Sequence, residues 1–149
     1  MKIERTALVR HPAEHMYKLV HDVLAYPEFL RWCTFAELHE QSESHQLASL
    51  GIKVAGIEQK FMTRNELTPP ERLGLALVEG PFRSLTGEWR FTSLGEQGCK
   101  VSLSLDFDFS PGLISVAFQS GFRKIASHLL MEFCKRADEL AETGGADGN

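Results

Sequence analysis

Cysteine is scarce in this chain of 149 residues, with three at positions 33, 99 and 134. The odd count and the lack of any CxxC spacing give neither a disulfide framework nor a zinc signature, so reduced, mostly buried thiols are expected. No apolar run approaches the roughly 18–20 residues of a membrane span. The opening MKIERTALVR has neither the apolar core of a secretory signal nor the Arg/Ser bias of a transit peptide, so a cytoplasmic location is expected. Excess positive charge is also missing. The formal net charge of −4 argues against DNA as a partner, which needs a field of Lys and Arg, and leaves room only for a local basic patch. Glycine-rich phosphate loops, GxSxG and HExxH are all absent. There is no repeat and no linker, and the small, polar stretch TGGADGN at 143–149 is expected to be a disordered tail behind one domain spanning 1–142.

What is present is a regular alternation of patterns. KIERTALVR (2–10) reads as a strand. Pro12 then suits the first position of a helix and Glu14 its positive end, with Met16, Val20 and Val23, flanked by Tyr17 and Leu24, forming one apolar stripe. Pro27 is expected to end that helix at Tyr26 and to open a second short one over EFLRW. Strand-like segments follow at 34–41, 45–56, 58–67, 72–80, 84–94 and 99–110, divided by turn signals such as SES, Pro69-Pro70 and Gly80-Pro81. The last is the cleanest, with Val101, Leu103, Leu105, Phe107 and Phe109 alternating with Ser102, Ser104, Asp106 and Asp108. From Pro111-Gly112 to about Ala141 the spacing turns helical, and Ile114, Phe118, Phe122, Ile125, Leu129, Phe133, Ala137 and Leu140 make one stripe along about 42 Å. Short turns favour antiparallel pairing, so the predicted class is α+β: a curved antiparallel sheet of about seven strands wrapped around a long C-terminal helix. A curved sheet and a straight helix match poorly in shape, so a cavity between them is expected.

Candidate chemistry is thin. Cys33 has Trp32, Thr34 and Phe35 beside it and no base, so it reads as a small buried apolar residue rather than a nucleophile. His11 and His15 face the same way on the first helix, but a third metal ligand is missing. Asp106 and Asp108 share a strand face with Ser102 and Ser104, which marks a solvated outer surface better than a pair of catalytic carboxylates. No catalytic residue and no metal site is assigned. The aromatics Phe61, Phe82, Trp89, Phe91, Phe107, Phe118 and Phe122 serve either as core or as the lining of a pocket.

Two blocks carry a resemblance. DVLAYPEFLRWC (22–33) and GPFRSLTGEWRF (80–91), followed by the CKVSLSLDFDF strand and by FCKRA in the long helix, resemble the coenzyme Q-binding, START-like family over about residues 1–141. The chain departs from the family in LGIKVAG (50–56), where Ile52 stands in place of the usual aromatic. The resemblance implies a helix-grip fold, also seen in polyketide cyclases, and non-enzymatic binding of ubiquinone or another polyisoprenoid lipid as a ligand rather than a redox cofactor. It also implies contact with a membrane surface and, for bacterial members, interference with the joining of ribosomal subunits. On that reading Tyr26, Phe29, Leu30 and Trp32 form a lid, and Phe61, Leu75, Leu77, Phe82, Trp89, Phe91, Phe118 and Phe122 are candidate ligand contacts. Ribosome docking would instead use a basic patch drawn from Arg64, Arg72, Arg83, Arg90, Arg123, Lys124, Lys135 and Arg136. A cyclase-like enzyme is the third reading, and it lacks a convincing polar constellation.

Overall fold

The computed structural model describes residues 1–110, 112 and 114–148, with side chains to 143. Strand β1 (Lys2–Val9) leads into helix α1 (Ala13–His21), a 3-10 turn (Val23–Ala25) and the one-turn helix α2 (Tyr26–Phe29). Strands β2 (Cys33–Gln41), β3 (His45–Val54), β4 (Ile57–Thr68), β5 (Arg72–Glu79), β6 (Phe82–Ser93) and β7 (Cys99–Phe109) follow, and helix α3 (Val116–Gly148) closes the chain. The strands form one seven-stranded sheet in the order β1-β7-β6-β5-β4-β3-β2, antiparallel at each pairing. The predicted fold class is therefore the observed one.

Local chemistry sets the element ends, and in places it differs from the pattern. Pro12 caps α1 from an extended conformation rather than occupying its first turn. That helix stops at His21, five residues before the expected break, and Leu24 is exposed instead of joining the stripe. Pro27 sits inside the first turn of α2, where its missing N–H costs nothing. β3 ends at Val54, because Ala55 and Gly56 both take positive φ (52° and 75°) in a two-residue turn that pairs Val54 with Ile57. Register shifts in the β2–β3, β4–β5 and β6–β7 pairings bend the sheet into its grip.

Helix α3 fills the concave side. It begins at Val116, later than the Pro111-Gly112 start expected, and Pro111 and Leu113 lie outside the described residues. Its buried stripe is Phe118, Phe122, Ala126, Leu130, Phe133 and Ala137, whereas Ile125 and Leu129 are half-buried and Leu140 is exposed. The helix backbone runs to Gly148, and the side chains of 144–149, where the tail was expected, lie outside the described set. One end of the grip is plugged with aromatics. Phe82 contacts Phe109 and Phe122 with ring centroids 5.3 and 4.9 Å apart, and Phe107 and Phe118 complete the cluster.

Candidate functional site

Behind that plug the side chains do not meet, and a cavity of about 90 Å³ remains between α3 and the sheet. Strands β3 to β7 supply Ala48, Leu50, Ile52, Phe61, Thr63, Asn65, Leu73, Leu75, Leu85, Trp89 and Leu105, while α3 supplies Phe122, Ile125, Ala126, Leu129 and Phe133. Val23, Tyr26 and Trp32 close the remaining side. Period-2 alternation explains the sheet wall: Phe61, Thr63 and Asn65 point inward from β4 while Arg64 and Glu66 point out. Gly87 on β6 lacks a side chain where a Cβ would lie 2.6 Å from the Leu105 side chain, so the Leu105 side chain can pack directly over the β6 backbone.

Of the twelve candidate contacts, the structure brings Tyr26, Trp32, Phe61, Leu75, Trp89 and Phe122 to the cavity. The other six lie elsewhere. Phe29 packs outside, against Phe133 and beneath the Arg136 guanidinium. Leu30 is fully buried in the core, and Leu77 packs against that core half-buried. Phe82 and Phe118 belong to the aromatic plug, and Phe91 stacks on Trp89 on the side of Tyr17. Sequence reasoning passed over Ile125, Leu129 and Phe133, although all three stood in the helical stripe, because spacing shows which face turns inward but not where the sheet leaves a gap. Ile52, the departure from the family pattern, is itself a wall residue.

Thr63 and Asn65 were also missed, and they are the most informative. They are polar residues on an inward period, and a chain of hydrogen bonds satisfies them. Gln46 Nε2 donates to the His21 backbone carbonyl (2.9 Å) and to Gln41 Oε1 (3.0 Å). Asn65 Nδ2 donates to Gln46 Oε1 (3.0 Å), and the Thr63 hydroxyl donates to Asn65 Oδ1 (3.0 Å). The Tyr26 hydroxyl donates to the Val20 carbonyl, and burial pushes its pKa well above the usual phenol range. Trp32 Nε1 is buried and, short of full hydrogen-bond geometry, is turned toward the Glu132 carboxyl of α3. Burial also pushes the Glu132 carboxyl on α3 up, opposed by the Trp32 indole, His128 and Lys135. Apart from Tyr26, which stays protonated, the lining side chains carry no titratable group.

The other candidates resolve simply. Cys33 is buried, its thiol donates to the Phe35 carbonyl (3.4 Å), and burial pushes its pKa up to about 11. That is the opposite of an activated nucleophile. His11 pairs with Asp138 (2.6 Å), and among the described residues three or more His, Cys, Asp or Glu side chains do not converge on any metal-sized site. Asp106 and Asp108 are exposed on the outer face, where Asp108 meets the N-terminal ammonium and Arg83. Half of the candidate basic patch is tied to carboxylates: Arg72 and Arg90 to Glu88, Arg83 to Asp108 and Arg136 to Glu28.

A curved antiparallel sheet gripping a C-terminal helix around an apolar cavity defines the helix-grip class of START-like proteins. The chain belongs, more particularly, to the polyketide cyclase / dehydrase and lipid transport family, which it matches over residues 9–134. Among solved structures it is similar to the Zhui aromatase/cyclase of Streptomyces sp. R1128, with a TM-score of 0.83, 20% identity and 94% of each chain covered. A START superfamily protein from Mycobacterium smegmatis superposes with a TM-score of 0.77 and 19% identity, covering 93% of this chain and 98% of that one. In sequence it is 44% identical to the ribosome association toxin RatA of Vibrio cholerae over 93% of this chain and 96% of that protein. The RatA of Escherichia coli K12 is 41% identical, over 93% and 88%. A more distant relative is the mitochondrial coenzyme Q-binding protein COQ10 homolog B of Xenopus laevis, 24% identical over 85% of this chain and 54% of that one. No helix among the described residues is long and apolar enough to cross a membrane.

Proposed function

We propose that this protein is a non-enzymatic binder of a hydrophobic ligand, ubiquinone or another polyisoprenoid lipid, held between the sheet and α3. The observation that carries this reading is the apolar cavity between sheet and helix, whose wall offers four polar side chains and no group that titrates near neutral pH. Such a lining suits solvation of a greasy molecule and lacks the acid and base that cyclase chemistry needs. The coenzyme Q-binding relative points to the same ligand class. At about 90 Å³ the cavity is far below the roughly 300–1,000 Å³ of typical ligand pockets, so loading requires a wall to part. The Tyr26–Trp32 segment is the natural mover, because it holds only the single-turn helix α2 and a short connection to β2. Purified protein extracted with organic solvent should yield a prenylated quinone or related lipid at near-stoichiometric amounts. Native mass spectra showing only the bare chain after expression in a quinone-producing host would sink the reading.

A second reading rests on the relatives named ribosome association toxins, at 41–44% identity over nearly the whole chain. On that reading the protein docks on a ribosomal subunit and hinders joining. Overexpression should then raise the ratio of free subunits to monosomes in sucrose gradients, and an unchanged ratio refutes it.

A further inference from the structure

The hydrogen bonds behind the cavity run in one direction, and a backbone atom sets that direction. The His21 carbonyl can only accept, so the Gln46 amide must turn its nitrogen toward it (2.9 Å) and its oxygen toward Asn65. Both Gln46 hydrogens are then used, the second on Gln41 Oε1. Asn65 must present Nδ2 to Gln46 Oε1, which leaves Oδ1 facing Thr63 and makes Thr63 the donor. The Thr63 hydrogen is therefore committed to the protein, and its oxygen meets the cavity as an acceptor. The Tyr26 hydrogen is likewise committed, to the Val20 carbonyl. Both hydroxyls bordering the cavity thus offer lone pairs rather than protons. The second amide hydrogen of Asn65 remains as a donor, whereas Trp32 Nε1 is turned toward the Glu132 carboxyl.

Resting on the lipid-binding reading above, we infer that the cavity selects ligands bearing a hydroxyl over those bearing a carbonyl at the same position: a phenolic, hydroquinone or alcohol head in preference to a quinone or ketone. A hydroxyl gives its proton to Thr63 Oγ1 and can accept from Asn65 Nδ2, so both sides are satisfied. A carbonyl of the same shape can accept from Asn65 Nδ2 but has no proton for Thr63 Oγ1, so it sets a lone pair against that oxygen and leaves it unpaired. In a water-poor site an unmade hydrogen bond on an otherwise paired group is worth about tenfold in affinity or more.

The test compares two ligands with the same short diprenyl tail, a benzohydroquinone kept reduced under anaerobic conditions and its quinone, titrated calorimetrically into the full chain. The expected result is hydroquinone binding at least about tenfold tighter. Thr63→Ser, which keeps the hydroxyl, should preserve the ratio. Asn65→Ala releases the Thr63 proton to turn toward the ligand, so the ratio should fall below about threefold through improved quinone binding. Equal affinities in the wild type, or tighter quinone binding, overturn the inference while leaving lipid binding intact. A ratio that survives Asn65→Ala overturns the relay as its cause. Binding of neither ligand overturns this inference together with the lipid-binding reading. Should Asn65→Ala fail to fold, the wild-type and Thr63→Ser ratios decide alone.

Discussion

Helix α3 lies close against the end of β3 at Gly121, and the consequence can be measured. A Cβ placed there would lie 1.8 Å from Val54 Cγ1 and 3.2 Å from Val54 Cβ. Carbon atoms pack at about 3.5–4.0 Å, so Gly121→Ala demands roughly 2 Å of separation between α3 and the end of β3. Val54 is stiff at χ1 and sits one residue before the tight Ala55-Gly56 turn, so it cannot swing aside freely. Overpacking of this kind costs about 1–3 kcal/mol, whereas an unobstructed Gly→Ala change inside a helix gains about 1 kcal/mol. The net expectation for Gly121→Ala is about 0–2 kcal/mol of destabilisation. Val54→Ala alone should cost about 1 kcal/mol, since it removes two half-buried carbons. In the double variant the clash disappears and the helix gain is recovered, so the two changes should couple favourably by about 1–3 kcal/mol. Urea denaturation of all four proteins, compared at constant m-value, gives the cycle. If Gly121→Ala stabilises by about 1 kcal/mol, or the coupling is under about 0.5 kcal/mol, the close approach of α3 to β3 is not present in solution.

Phe133 is buried and meets Tyr26, Phe29 and Trp89 edge-on, so Phe133→Ala should destabilise by about 3–5 kcal/mol, visible as a melting-temperature drop of roughly 10 °C. Glu88 is held below the usual carboxylate range, first by its hydrogen bond from Arg72 and then by Arg90. Its contribution is present above the unfolded-state carboxylate pKa and is lost as pH falls through the lowered folded value. The stability gap between wild type and Glu88→Gln, about 1 kcal/mol at pH 7, should therefore shrink once the pH falls below the ordinary glutamate range and vanish below the lowered folded value, in urea titrations at stepped pH. Burial pushes the thiols of Cys33 and Cys134 up to about 11. At pH 8 about a thousandth of each is thiolate, against about a quarter of a free cysteine, so iodoacetamide should label both at least a hundredfold more slowly than in urea.

The sheet was legible wherever alternation was strict. β7 could be read residue by residue, and β6 placed Leu85, Trp89 and Phe91 on the buried face as observed. The cavity was legible as a mismatch of shapes but not as a set of atoms. Periodicity tells that Phe61 and Phe118 both turn inward. Only the three-dimensional fit shows that Phe61 borders the void while Phe118 fills the plug. Thr63 and Asn65 did leave a trace, because polar residues interrupt the inward period Phe61-Thr63-Asn65-Leu67. Their partner Gln46 could not be inferred, since the bond that anchors the relay runs to the backbone carbonyl of His21, and backbone atoms leave no mark in a sequence.

Pairing of β1 with β7 shapes how the chain acquires its structure. Strands β2 to β6 each pair with the next along the chain, and the six strands β2 to β7 can zip together through short turns as they are synthesised. β1 is made first, yet Ile3 finds its register partner only when Leu105 has been added, about a hundred residues later. Loop closure over that span makes docking of the first strand a late and slow event. Until it happens the β7 edge stands open as a template for strands of other chains. Yield on refolding should therefore depend on protein concentration more steeply than the modest size of the domain would suggest.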